Sequence, residues 1–327
     1  MSDVAAPGAA PGAVTALSAT WRRVSVVTRR RVPPAMRRQA MFAFLCVVWG
    51  TTWLGMKVGI AVVPPGVFAG LRWTCAGLAL FAWQLSQGHR PFLPRRLILR
   101  MVVVSLLLIS FSQVIQLYGL RHITAGLAAV ISSALTPIAL LGFSAALGQE
   151  RFTLRQAAAI GVGVVGILVL FGPKAFTGEL QLAELAGAAG VVVATLLYSI
   201  GSVQIRPMMR TIAPADMAWM TNMIGGGLLL LGALLFEPGA WAAMRLDWGM
   251  SAWVAWLYLL IPGSLLSTVI YFLLVRDWGA SRVGTYAFVS PVIAVVVGAI
   301  WFGEHVELAD VVGMGLMLAA AGIVLRR

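Results

Sequence analysis

The most constraining feature of this chain is a run of ten apolar stretches, separated by short polar or Pro/Gly-containing breaks, that fills it from residue 40 onward. A hydrocarbon core about 30 Å thick is crossed by roughly 20 apolar residues in a helix. Cutting at the breaks predicts helices over 40–62, 66–87, 98–118, 124–147, 155–172, 184–205, 214–236, 250–274, 280–303 and 308–325. Inside lipid every backbone N–H and C=O needs a partner within its own helix or in a closed barrel, and the alternating strands of a barrel are missing. The predicted fold class is therefore all-α and integral to the membrane. Composition excludes the soluble alternative. Of the 327 residues 60% are hydrophobic and 11% charged, where soluble domains carry about 25% charged residues.

The net charge of +13, from 24 Lys and Arg against 11 Asp and Glu, would in a soluble protein point to nucleic acid. Here its placement matters instead, because basic residues gather on the cytoplasmic side of spanning helices. With the N-terminus inside, 19 of the 24 fall in inner segments, Arg121, Lys174 and Arg245 fall in outer loops, and Lys57 and Arg72 lie within helices. Both termini are thus expected in the cytoplasm, with the lipid bilayer and not nucleic acid as partner. Residues 1–39 hold seven arginines and one acid, Asp3, without the apolar core of a secretory signal. They read as a disordered basic cytoplasmic tail against anionic lipid; translation from Met36 or Met41, or an organellar transit peptide, is the alternative. Cys46 and Cys75 lack the number and spacing of a disulfide framework or zinc site and are expected as buried thiols.

The chain also repeats itself. Thr136-Pro137 followed by Gly148-Gln149-Glu150 matches Ser290-Pro291 followed by Gly303-Glu304, and prolines and glutamates alike stand 154 positions apart. Leu154 and Leu308 keep that register. Earlier in each half the offset is 149, pairing Trp49 with Tyr198, Lys57 with Arg206 and Pro65 with Pro214; five extra residues in 237–249 absorb the difference. Each half holds five predicted helices, an odd number, so the second half enters the membrane from the opposite side. Two inverted five-helix repeats are expected, 40–172 and 184–325.

Several motifs occur together in order: Trp49-Gly50-Thr51-Thr52-Trp53 with Lys57 in the first helix, Leu71-Arg72-Trp73 in the second, and the Pro137 and Pro291 helices each closed by a glutamate. Through them residues 40–327 resemble the ten-helix EamA-type transporters of the drug/metabolite transporter superfamily. The resemblance implies a bacterial inner-membrane exporter of amino acids, other metabolites or drugs, with alternating access through a central cavity between the repeats. Smaller four-helix relatives couple export to protons through a glutamate in their first helix. The first helix here has none, so that mechanism is not carried over.

Proline inside a helix withholds an amide donor and collides with the carbonyl four residues earlier. Pro137 and Pro291 should kink their helices near mid-membrane and free the carbonyls of Ser133 and Ala287. Either these kinks are hinges at a substrate site, or they are static and satisfied by the hydroxyls of Ser132, Thr136 or Ser290. In the third helix Ser110, Gln113 and Gln116 share a face by i, i+3 spacing, and the repeat sets Ser267 opposite Gln113, accompanied by Ser264, Thr268 and Tyr271. Such residues line a polar cavity or join helices by hydrogen bonds. Trp49, Trp53, Tyr198, Tyr271 and Tyr286 fall near predicted helix centres, away from the interfacial belt that suits Trp241, Trp248 and Trp278. They stack on an apolar or aromatic solute, or pack between helices. The cavity candidates are thus Trp49, Trp53, Gln113, Gln116, Thr136, Tyr198, Ser267, Tyr271, Tyr286 and Ser290. Lys57 and Arg72 are either vestibule charges for a substrate carboxylate or structural groups snorkelling to the outer interface.

All the acids map to tails, loops or helix ends. Facilitated movement, or coupling through a terminal acid such as Glu150, stays open. Gly55/Gly59 and Gly66/Gly70 have the spacing of close helix contacts, while Gly161, Gly163, Gly166, Gly313 and Gly315 suggest another, or a homodimer surface. An intramembrane enzyme needs a nucleophile with its base, a carboxylate pair or a metal cluster. His89, His122 and His305 are scattered among loops, with no metal or cofactor motif. A channel needs a charge ring or filter loop, which the sequence does not show. The sequence therefore points to a carrier of a small molecule.

Overall fold

The computed structural model describes residues 34–89, 95–151, 153–175, 181–302 and 308–325. Most of the basic tail and the Gly303-Glu304 pair lie outside them. Among the described residues there is no strand. Contacts divide the chain into Met1–Gln39 and Ala40–Arg327, and the second unit holds all the packing described below.

Ten long helical segments follow one another among the described residues: α1 Pro34–Ile60, α2 Pro65–Ser86, α3 Arg95–His122, α4 Ala125–Ala146, α5 Leu154–Ala175, α6 Leu182–Met208, α7 Pro214–Phe236, α8 Gly249–Trp278, α9 Tyr286–Phe302 and α10 Leu308–Leu325. Short helical turns intervene at Ala240–Ala243 and Ala280–Val283. Seven helices, α1 to α4 and α6 to α8, are long and apolar enough to cross a membrane. The described residues are helical throughout their secondary structure, and the protein is integral to the membrane.

Local chemistry sets the ends. Proline opens α2 and α7, where its missing N–H costs nothing. The Thr124 side chain accepts from Leu127 N at 3.2 Å to cap α4, and Gln181 with Glu184 forms a capping box on α6. Gly279, at φ +88°, ends α8. The expected helix 280–303 is therefore split: Ala280–Val283 stands apart, and Tyr286, expected near a helix centre, is the first residue of α9.

Two wide π-helical segments were not legible in the sequence: Leu106–Phe111 in α3 and Leu259–Leu266 in α8. They occupy matching places, their centres 154 positions apart. Pro262 accounts for the second, since it cannot donate to the ladder.

Side contacts fix which helix ends lie together. Glu237, just beyond α7, accepts from Gly66 N and Val67 N at the start of α2, both at 3.2 Å, and from Tyr118 of α3 at 2.7 Å. Negative charge suits that helix N-terminus. At the opposite end, Gln149 Nε2 donates to Val203 O at 2.9 Å, tying the segment after α4 to α6. The α2–α7 seam depends on glycine: a Cβ on Gly70 would lie 2.7 Å from Leu230 Cα, and one on Gly77 2.5 Å from Met223 N. In lipid such close packing replaces the hydrophobic drive. In the α5–α10 contact, a Cβ on Gly166 would come 2.9 Å from Gly313 O. Trp248, expected in the interfacial belt, is instead 4% exposed, with Nε1 donating to Ala243 O at 2.8 Å and its ring stacked on Trp253 at 4.7 Å. Cys46 is a buried free thiol, as expected, whereas Cys75 is only half-buried.

Candidate substrate cavity

A cavity of about 150 Å³ is lined by α1, α2, α3 and α4 from the first half and by α6, α8 and α9 from the second. Nine of the ten sequence candidates meet there: Trp49, Trp53, Gln113, Gln116, Thr136, Tyr198, Tyr271, Tyr286 and Ser290. Ser267 does not. It is fully buried and donates its hydroxyl to Pro262 O at 2.6 Å, within its own helix. Thr268, the next residue of α8, lines the cavity in its place.

One wall is aromatic. Trp49 lies 5.2 Å from Tyr271 and 4.6 Å from Tyr286, edge-on to the latter, and Tyr198 lies 6.1 Å from Tyr271. Contacts of this kind contribute about 0.5–1.5 kcal/mol each beyond their buried area. Trp49 Nε1 also reaches Gly263 O at 3.4 Å. The next residue brings two backbones together, for a Cβ on Gly50 would lie 2.6 Å from Ser290 O. Ser290 Oγ in turn donates to Cys46 O at 3.1 Å. The Trp-Gly pair in α1 thus supplies a ring to the cavity and a close crossing with α9.

The other wall is polar, and Arg72 is its only charge among the described residues. Of the two readings of Arg72, a charge exposed to the interface does not fit its placement: it is 4% exposed and lines the cavity. Its Nη2 donates to Gln113 Oε1 at 2.7 Å, and its guanidinium lies 4.9 Å from the centre of the Trp73 ring. Trp73 Nε1 donates to the same oxygen at 3.3 Å, and Gln113 Nε2 donates to Gln116 Oε1 at 3.2 Å. Lys57 lies off the cavity lining. Its ammonium donates to Leu120 O at 2.5 Å and Ile123 O at 2.8 Å, the carbonyls at the end of α3, where a cation complements the helix dipole.

Pro137 and Pro291 sit inside α4 and α9 without lining the cavity. Ser133 and Ala287, four residues before each, do line it. Trp73, Thr195 and Met56 line it as well and were not among the candidates. The i, i+3 spacing of Thr195 from Tyr198 was the signal available for one of them.

Glu150 lies away from the cavity, against Arg206 at 4.0 Å and Ser281. Burial raises its carboxyl above the ordinary value, opposed by hydrogen bonds from Ser281 and the charge of Arg206. A Cβ on Gly279 would come 2.5 Å from Glu150 Oε1 and 3.3 Å from Arg206 Nη1. Arg206 therefore sits at the end of α8 much as Lys57, its counterpart in the repeat, sits at the end of α3.

These features define a multi-pass helical membrane protein with a solute-sized site reached by both halves. The EamA-like transporter family matches residues 38–172 and 185–326, and the chain belongs to that family. It is a membrane transporter. Among its relatives, the uncharacterized inner membrane transporter YedA of Escherichia coli (strain K12) is 27% identical over 87% of this chain and 89% of that one. The uncharacterized transporter YvbV of Bacillus subtilis is 27% identical over 89% and 92%. One protein crystal structure shares the fold with a TM-score of 0.72 at 19% identity, covering 88% of this chain and 96% of that one.

Proposed function

We propose that the chain exports small metabolites, amino acids among them, across a bacterial inner membrane by alternating access. In this reading ten helices span the bilayer as two inverted five-helix repeats, with both termini in the cytoplasm. The observation that carries it is the cavity, because side chains from both halves form one site. Rocking of one half against the other would expose that site to each side in turn. The matching places of the two wide helical segments support the repeat, as do the two stretches matched by the family. The inner-membrane assignment is supported by the description of YedA, and the topology by the basic residues of the inner segments.

Counterflow in proteoliposomes tests this reading. Vesicles preloaded with an unlabelled amino acid should take up the labelled one transiently above equilibrium, with saturation. A carrier gives that overshoot; a channel gives linear entry, and an enzyme gives a chemically altered product. Linear, non-saturable entry or a chemically altered product would overturn the proposal.

A further inference from the structure

We propose that Arg72 makes the cavity selective for solutes bearing a carboxylate, so that it accepts organic acids and zwitterions and rejects amines of the same shape. This rests on the cavity being the substrate site.

The guanidinium is permanently charged and offers five donors in a planar fork that matches a carboxylate. In this protein the fork is incompletely used. Nη2 bonds to the neutral oxygen of Gln113, Nε has no partner, and no Asp or Glu among the described residues lines the cavity. Gln113 cannot offer more, because its oxygen is shared with Trp73 and its amide is turned to Gln116. A buried cation with only neutral partners is costly, and an opposite charge held by two parallel hydrogen bonds offsets that cost. The cavity presents Arg72 alongside the rings of Trp49 and Trp53, which suit an apolar body attached to the carboxylate. Ser133 and Ala287, whose carbonyls lose a donor to Pro137 and Pro291, line the same cavity, where a zwitterion's ammonium needs acceptors. An amine without a carboxylate meets Arg72 as a like charge in a poorly solvated site.

The test is binding to purified full-length protein, read by tryptophan fluorescence, with three probes matched in ring and chain: 3-phenylpropionate, phenylalanine and 2-phenylethylamine. Both carboxylates should bind saturably and the amine about 30-fold more weakly or not at all. Arg72→Gln should weaken the carboxylates by about 30-fold or more and erase the ranking, whereas Arg72→Lys should keep it. Gln113→Glu, which places a carboxylate beside Arg72, should also weaken acid binding with the arginine still present. Amine binding as tight as acid binding, acid binding that survives Arg72→Gln, or folded wild-type protein that binds neither carboxylate would each overturn the proposal. If Arg72→Gln fails to fold, the wild-type ranking and Gln113→Glu decide. Protein that binds the acids but shows no counterflow would contradict the carrier reading and leave the Arg72 assignment standing; counterflow that prefers the amine would do the reverse.

Discussion

The end of α1 and the third turn of α2 each hold a cation inside a membrane helix, and the two are treated in opposite ways. Lys57 is only half-buried and meets two helix-end carbonyls, so its charge is absorbed by the architecture. Arg72 is 4% exposed and meets one amide oxygen and an indole face, all neutral, at the wall of a cavity. A charge satisfied by backbone stabilises the fold. A charge left with unused donors beside a cavity is available to a ligand.

The comparison breaks most visibly if Arg72→Gln leaves acid binding intact. The expected result is a rise in Kd of about 30-fold or more, which is roughly 2 kcal/mol, with little change in the unfolding midpoint. Lys57→Met should do the reverse, lowering stability by roughly 2–3 kcal/mol as two charged hydrogen bonds are lost while Kd stays put. Thermal unfolding in detergent, run beside the binding assay, separates the two. Gly50→Ala sharpens the picture from a third position. Its Cβ presses on Ser290 O, so overpacking should cost about 1–2 kcal/mol and lower transport as well, because the α1–α9 crossing borders the cavity.

The smallest effect is expected at Glu150, under about 1 kcal/mol for a partly exposed pair. Burial raises its folded pKa above the ordinary 4.5, so folding favours the protonated form. That stabilisation is complete below 4.5 and is lost as pH rises through the raised value. Unfolding midpoints should therefore fall as pH rises above 4.5, and Glu150→Gln should flatten the dependence by imitating the protonated carboxyl.

The helices were legible because lipid imposes length and apolarity on any spanning segment, and these survive in a single sequence. Gln113, Trp49, Tyr198 and Tyr271 were legible as cavity residues for a related reason: polar and aromatic groups at mid-helix have few other places to go. Arg72 was harder, because a long side chain two turns from a helix end can reach the interface or the interior, and only its neighbours decide. Ser267 was misplaced because the repeat carries over sequence position alone, whereas the Ser267 hydroxyl is taken by Pro262 O within its own helix. Tyr286 was misplaced because Gly279 and the short turn after it interrupt what reads as one apolar run. Trp248 read as an interfacial residue because sequence position does not reveal that Trp253 and Trp256 cover it.

The most direct measurement is phenylalanine counterflow in proteoliposomes made with wild type, Arg72→Gln and Lys57→Met protein. The account predicts saturable counterflow by wild type and Lys57→Met, and its loss in Arg72→Gln. Linear entry by the wild type, or equal counterflow by Arg72→Gln, would contradict it.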